Sequence, residues 1–129
     1  MKNVLIVDSD LGFVFWLGQA LDAAGYDTLP ARGVAEAISL LAEVRVRIDV
    51  ILVRCTLAGA EKLVADLRWA QRGYLKALAL IDEDEGESET MGAWDGWQIK
   101  PNLPDTTARK IFLELVQDSL ANSTRFSTT

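Results

Sequence analysis

Charged side chains stand directly after three apolar runs of this chain, where strands of a parallel sheet would end. Asp8, Ser9 and Asp10 follow the run NVLIV, Arg54 follows DVILV, and Lys100 follows WQI. Two carboxylates placed together suit a hard cation such as Mg²⁺. An arginine, in contrast, stays protonated and carries hydrogen-bond donors only, so it offers no nucleophile. The functional question is therefore what two acids and two cations do at neighbouring strand ends.

Hydrophobic periodicity predicts an alternation of strands and helices. The strands are expected at residues 2–7, 26–31, 49–53, 75–81 and 97–99, and the helices at residues 10–24, 34–44, 60–70 and about 104–121. Such alternation predicts a parallel sheet with helices on both faces, whose ligands bind beyond the carboxyl ends of the strands. Pro30 places the second strand near a sheet edge. The length fits one domain, residues 1–121, followed by a polar tail at residues 122–129.

The composition excludes several classes of function. The net charge of −6 argues against nucleic-acid binding as the main task, because such proteins carry a basic face. No apolar run is long enough to span a bilayer, and the start MKNVLIVDSD turns acidic too early for a signal peptide. The single cysteine, Cys55, cannot form an internal disulfide, which favours a reducing, cytoplasmic location.

The residues also argue against an enzyme or a cofactor carrier. The chain has no histidine, so metal sites and catalytic triads that need imidazole are excluded. The turn after the first strand is Asp8-Ser9-Asp10 rather than a glycine-rich loop, and two carboxylates repel a phosphate group. No cofactor is therefore expected. Asp10 also has a structural alternative, because an aspartate just before a helix commonly serves as its N-cap.

Three stretches together resemble the response-regulator receiver domains of two-component signalling, over nearly the whole chain. They are VLIVDSD at residues 4–10, DVILVRCTLAG at residues 49–59, and AWDGWQIKP, which ends at Lys100 and Pro101. The resemblance implies a flavodoxin-like α/β sandwich of five strand–helix units in three layers, with a parallel sheet in the order 2-1-3-4-5. It also implies a role in phosphorelay signalling, in which Mg²⁺ and a phosphorylated aspartate act at the strand ends.

The phosphorylation site of that family is only partly present. The resemblance places Asp8 on the first acid of the metal-binding pair and Ser9 on the second, with Asp10 as a possible substitute. Arg54 falls on the aspartate that accepts phosphate, and Ile81 falls on a serine or threonine that binds the phosphoryl oxygen. Neither side chain can take over that role. The chain is therefore predicted to be a degenerate receiver, with weak or lost Mg²⁺ binding.

The fifth strand matches the family more closely. The resemblance places Trp97 on the aromatic switch residue, Lys100 on the phosphate-binding lysine, and Pro101 on a proline whose preceding peptide bond is typically cis. A lysine and a proline in this order, after a glycine–aromatic pair, are fairly specific for the family. The expected cis bond is an implication of the resemblance.

Arg54 has two possible positions in such a pocket. We hypothesise that its guanidinium lies against Asp8 and Asp10, in the space that Mg²⁺ takes in the family, because a planar fork of donors can satisfy two carboxylates. Lys100 would then compete for the same acids. The alternative is that Arg54 points into solvent and that the pocket has decayed.

An acidic run after the fourth strand is the first candidate interface. It begins with Asp82, Glu83, Asp84 and Glu85. A run of like charges is either a solvated loop or a docking strip for a basic partner. The run leaves room for only a short fourth helix or for none.

Aromatic side chains supply the second candidate interface. Phe15 and Trp16 fall off the apolar stripe of the first helix, which favours a homodimer or a partner helix there, unless the last helix covers Trp16. Trp94 and Trp97 lie beside the acidic run. Such a residue is either fixed inward as core or faces outward as a binding anchor, and core packing is the default for large aromatic residues.

Three functions remain in competition. The first is a pseudo-receiver that binds a protein partner or itself without being phosphorylated, and that binds neither nucleic acid nor membrane. The second is a phosphoreceiver that uses another acceptor, for which Asp10 and Thr56 are the candidates. The third, a flavodoxin-like cofactor-binding protein, has no supporting motif.

Overall fold

Strands and helices alternate along the part of the chain that the computed structural model describes, which is residues 2–82, 94–101 and 105–126. The elements are β1 (Asn3–Val7), α1 (Leu11–Ala23), β2 (Asp27–Ala31), α2 (Val34–Val44), β3 (Val50–Arg54), α3 (Ala60–Ala70), β4 (Lys76–Ile81), β5 (Gly96–Ile99) and α4 (Thr106–Phe126). The short or missing helix predicted between β4 and β5 falls on residues 83–93 and lies outside the described residues.

The strands form one parallel sheet in the order β2-β1-β3-β4-β5, so the predicted order is confirmed. β2 is an edge strand, where an exposed Pro30 removes no hydrogen bond from the sheet interior. β1, β3 and β4 have neighbours on both sides, and almost all of their side chains are buried. Burial on both faces of the sheet explains why these strands form uninterrupted apolar runs in the sequence.

Helices cover both faces of the sheet. On one face, α1 and α4 contribute buried side chains such as Leu17 and Val116 to a core shared with Leu52 of β3. On the other face, α2 and α3 contribute buried side chains such as Ala37 and Leu63. The result is the predicted three-layer arrangement.

Three aromatic rings join α1 to α4. The centroid of the Phe112 ring lies 5.7 Å from that of Phe13 and 6.0 Å from that of Trp16, with steep interplanar angles of 65° and 81°. Edge-to-face contacts of this kind add to the stabilisation that ring burial provides. The last helix therefore partly covers Trp16. It also packs against α1, whose first turn begins beside the acidic residues that follow β1.

The helix ends follow the sequence at three places and depart from it at one. α2 and α3 have the predicted bounds, and Gly25, with φ of 98°, follows α1 in the left-handed conformation that ends many helices. α4 continues to Phe126, past the predicted end near residue 121, because no glycine or proline follows Pro104. The predicted start of the polar tail thus falls inside α4. Neither α4 nor any other helix in the described ranges is long and apolar enough to cross a membrane.

Replacing a ring of the α1–α4 contact tests this core. Phe112 is 1% exposed, so Phe112→Ala should lower the free energy of unfolding by about 3–5 kcal/mol, because it leaves a cavity between two rings. Ile111→Ala is the matched control, because Ile111 is the preceding residue of the same helix and is 41% exposed. Its effect should be about 1 kcal/mol or less. Urea unfolding followed by circular dichroism measures both, and equal losses would contradict the described orientation of α4.

Candidate functional site

The carboxyl ends of β1, β3, β4 and β5 meet at one edge of the sheet, as expected for parallel strands. Asp8 follows β1, Arg54 ends β3, Asp82 follows β4, and Lys100 follows β5. The backbone N–H of Lys100 donates to the carbonyl oxygen of Ile81 at 2.7 Å, which continues the pairing of β4 with β5. The sheet therefore brings the predicted strand-end residues together.

Lys100 lies at the centre of this edge. Its Nζ is 2.9 Å from Asp8 Oδ2, 3.3 Å from Asp82 Oδ1 and 3.7 Å from Asp10 Oδ2. Its side chain is only 9% exposed, and Nζ lies 4.8 Å from the centroid of the Phe13 ring, whose face attracts a cation. One ammonium group thus forms ion pairs with three carboxylates that follow two different strands.

The surroundings of Lys100 keep its ammonium charged. Burial by itself would lower the pKa of this group, because it disfavours the charged form. The hydrogen bond and the negative charge of Asp8, together with those of Asp82, outweigh burial and raise the pKa above its ordinary value. The Lys100 ammonium group is therefore charged at neutral pH.

Asp8 and Asp10 are held by backbone as well as by Lys100. Asp8 is completely buried, and its Oδ1 accepts a hydrogen bond from the Asp10 N–H at 2.9 Å. Oδ1 of Asp10 accepts from the Phe13 N–H at 3.2 Å, so Asp10 is the N-cap of α1, as its structural alternative predicted. Asp10 thus serves both as a cap and as a distant partner of Lys100.

Arg54 does not occupy the predicted position. Among the described residues, its Nη2 forms a close ion pair with Asp82 Oδ2, and its Nη1 lies 3.3 Å from Ser9 Oγ. The hypothesis that Arg54 lies against Asp8 and Asp10 is wrong, because Lys100 takes those acids. The alternative of an arginine that points into solvent is wrong as well, since the side chain is 28% exposed and paired. We refer to Asp8, Asp10, Arg54, Asp82 and Lys100 as the charge cluster.

Asp82 is the site residue whose role the sequence did not reveal. The sequence placed it in an acidic docking strip, whereas its carboxylate joins Arg54 and Lys100 in the charge cluster. Its position directly after the apolar run of β4 was the available signal. β4 is the neighbour of β3 in the sheet, so the end of β4 is the nearest place for a partner of Arg54.

The other positions matched to the family are apolar or lie outside the cluster. Ile81 ends β4 with a side chain that is 1% exposed, and it carries no hydroxyl group. Trp97 is 43% exposed on β5, so its side chain faces outward. The structure has no cis peptide bond among the described residues, so the bond between Lys100 and Pro101 is trans and the expected cis bond is not observed.

The candidate interface residues separate into exposed and buried ones. Phe15 is 67% exposed and remains available to a partner. Trp16 of α1 is partly buried against Phe112 of α4. Trp94 is 8% exposed in the core layer of α2 and α3. Both therefore present less surface to a partner than Phe15, and their role in an interface stays a prediction. The remaining acids of the proposed docking strip lie outside the described residues: Glu83, Asp84 and Glu85.

The resemblance implies Mg²⁺ at this edge, and the residues present do not fit that ion. Mg²⁺ requires close oxygen ligands in a nearly octahedral arrangement. Here the carboxylates of Asp8, Asp10 and Asp82 already surround an ammonium group, and the guanidinium of Arg54 adds a second positive charge. Within the described ranges, no three acidic, cysteine or histidine side chains are grouped so as to hold a metal ion.

Removing the central cation tests the charge cluster. Lys100→Met should lower the free energy of unfolding by about 3–5 kcal/mol, because it leaves the buried Asp8 carboxylate without its partner. Lys62→Met is the matched control, since Lys62 pairs with Asp66 at 2.7 Å on the surface of α3, with both side chains mostly exposed. That change should cost about 0.5 kcal/mol or less. Chemical unfolding of both variants gives the comparison, and similar losses would show that Lys100 does not stabilise Asp8.

Comparisons with known proteins find likeness in structure and not in sequence. No family model matches the chain. No curated protein matches it either.

Solved structures resemble the chain over almost its full length. A CheY-like response regulator receiver domain protein from Methanospirillum hungatei JF-1 has a TM-score of 0.74 at 19% identity, with 97% of this chain and 98% of that chain covered. The chemotaxis response regulator CheY4 of Vibrio cholerae has a TM-score of 0.72 at 24% identity, with 93% and 99% covered. NtrX from Brucella abortus, solved in complex with ADP, has a TM-score of 0.75 at 17% identity, and the match covers 99% of this chain and 28% of that longer one. This chain therefore has the fold of the response-regulator receiver domains.

Proposed function

We propose that this chain is a pseudo-receiver, a receiver-like domain that acts by binding protein and does not use an aspartyl phosphate. The observation that carries the proposal is the ion pair between Arg54 and Asp82. Arg54 ends β3, the position at which the resemblance places the phosphorylated aspartate. A cation that is already paired stands where the family has its nucleophile.

Phosphoryl transfer at this position needs groups that the described residues around Arg54 do not supply. The attacking group must be a carboxylate oxygen, and a guanidinium carries donors only. A divalent cation must offset the charge of the phosphoryl group, and the acids that would hold it are already paired with Lys100 and Arg54. The buried Ile81 provides no hydroxyl for the phosphoryl oxygens. These features support a domain whose state does not depend on a phosphodonor or on Mg²⁺.

Exposed apolar side chains on β5 and α4 give such a domain places to bind protein. Trp97 and Ile99 are 43% and 42% exposed on the edge strand β5, and alternate residues of a strand point to the same face. Ile111 of α4 is 41% exposed. Large apolar side chains of this kind on a strand at the sheet edge suit a protein partner better than a small polar ligand.

Treatment with a small-molecule phosphodonor and Mg²⁺ tests the proposal. The wild-type chain should gain no phosphoryl group, because position 54 has no nucleophile, and intact mass spectrometry measures the outcome. A receiver domain with an intact phosphorylation site, treated in the same mixture, shows that the donor is active.

The same experiment on Arg54→Asp separates the causes. An adduct on this variant alone would assign the block to Arg54, whereas no adduct on either chain would assign part of it to Ile81 and Ser9. An adduct on wild type would contradict the proposal and would favour a phosphoreceiver with another acceptor, such as Asp10 or the exposed Thr56.

A further inference from the structure

A second exposed apolar surface lies beside β2, the outer strand on the side of the sheet opposite β5. Here α1 meets β2 and the start of α2. Leu11 and Phe15, one helical turn apart, are 44% and 67% exposed. They border a groove of about 330 Å³ that also runs past Pro30 of the edge strand and past Arg32 and Glu36. We refer to these five residues as the α1 face. This face does not include the exposed apolar residues of β5 and α4.

We propose that the α1 face binds a second copy of this chain, and this inference deepens the proposed function by naming a partner for one of its surfaces. The face carries a protruding ring, Phe15, directly beside an apolar groove. A patch with a projection next to a hollow is self-complementary under a twofold axis, because each copy can place its projection in the hollow of the other. A closed dimer results, and no free copy of the patch remains.

The charges of the α1 face also fit a second copy. Arg32 Nε lies 3.0 Å from Glu36 Oε2, and the Arg32 backbone N–H donates to Glu36 Oε1 at 3.2 Å. The hydrogen bonds from Arg32 lower the pKa of Glu36, which favours its charged form at neutral pH. The face thus carries one charge of each sign, although the whole chain has a net charge of −6.

Local neutrality decides between a second copy and other partners. Two copies of an acidic chain repel each other at most orientations, and a balanced face is one at which they can meet. In a twofold contact, Arg32 of each copy can approach Glu36 of the other, which gives alternating signs across the interface. A strongly basic partner would gain nothing from this face, because the attraction by Glu36 and the repulsion by Arg32 offset each other.

Concentration-dependent sedimentation of the full chain is the first test. Wild type should pass from monomer to dimer between micromolar and millimolar concentration, and Phe15→Ser should weaken this association by ~tenfold or more, as expected for an aromatic residue at the centre of an interface. Trp69→Ser is the matched control, because Trp69 is 85% exposed on α3, away from the α1 face. It should leave the association unchanged. Thermal unfolding confirms that both variants are folded.

Charge reversal then identifies the partner as a second copy. Arg32→Glu and Glu36→Arg should each weaken self-association, because each places like charges at the interface. An equimolar mixture of the two variants should associate more strongly than either one alone, since opposite charges then meet. Wild type that stays monomeric throughout, or Phe15→Ser that dimerises like wild type, would overturn the inference. Those outcomes leave the phosphodonor result unaffected, so the dimer and the phosphorylation-independent function can fail separately.

Discussion

The ammonium group of Lys100, held among the carboxylates of Asp8, Asp10 and Asp82, is the interaction on which the carboxyl edge of the sheet depends. Asp8 is completely buried, and a buried carboxylate without a compensating charge is strongly destabilising. Lys100 follows β5, and its side chain reaches past the ends of β4 and β3 to the residue after β1. One side chain therefore ties an edge strand to the middle of the sheet and makes the acidic strand ends compatible with folding.

Arg54 is the second cation of this arrangement, and it bears on the function of the domain. The fold is that of receiver domains, but a fold alone does not specify a chemistry. Lys100 is paired with the acids after β1, and the guanidinium of Arg54 pairs with the acid after β4. Cations of the chain itself thus offset negative charge that a metal ion would otherwise offset. In the proposed function, exposed apolar side chains such as Trp97 on β5 and Phe15 on α1 are the places where such a domain would bind protein.

The sequence predicted the fold more completely than it predicted the site. Apolar runs and helical periodicity located the elements, and the rule for parallel sheets brought Asp8, Arg54 and Lys100 to one edge. The partner of Arg54 was not predictable in the same way, because the choice among nearby acids depends on which strands are neighbours and on what Lys100 already binds. Phe15 and Trp16 show the same limit. Both fall off the stripe of α1, and only the position of α4 decides that Trp16 is covered while Phe15 is exposed.

Titration calorimetry with Mg²⁺ on wild type and Arg54→Ala tests the central claim most directly, namely that the positive charges of the chain close this pocket to a metal ion. The account predicts no saturable binding to wild type. It predicts saturable binding to Arg54→Ala, because loss of the guanidinium removes one of the two cations and leaves Lys100 alone among the three carboxylates. Binding of Mg²⁺ to wild type as tightly as to the variant would contradict the account, because the charge cluster would then leave the metal site open.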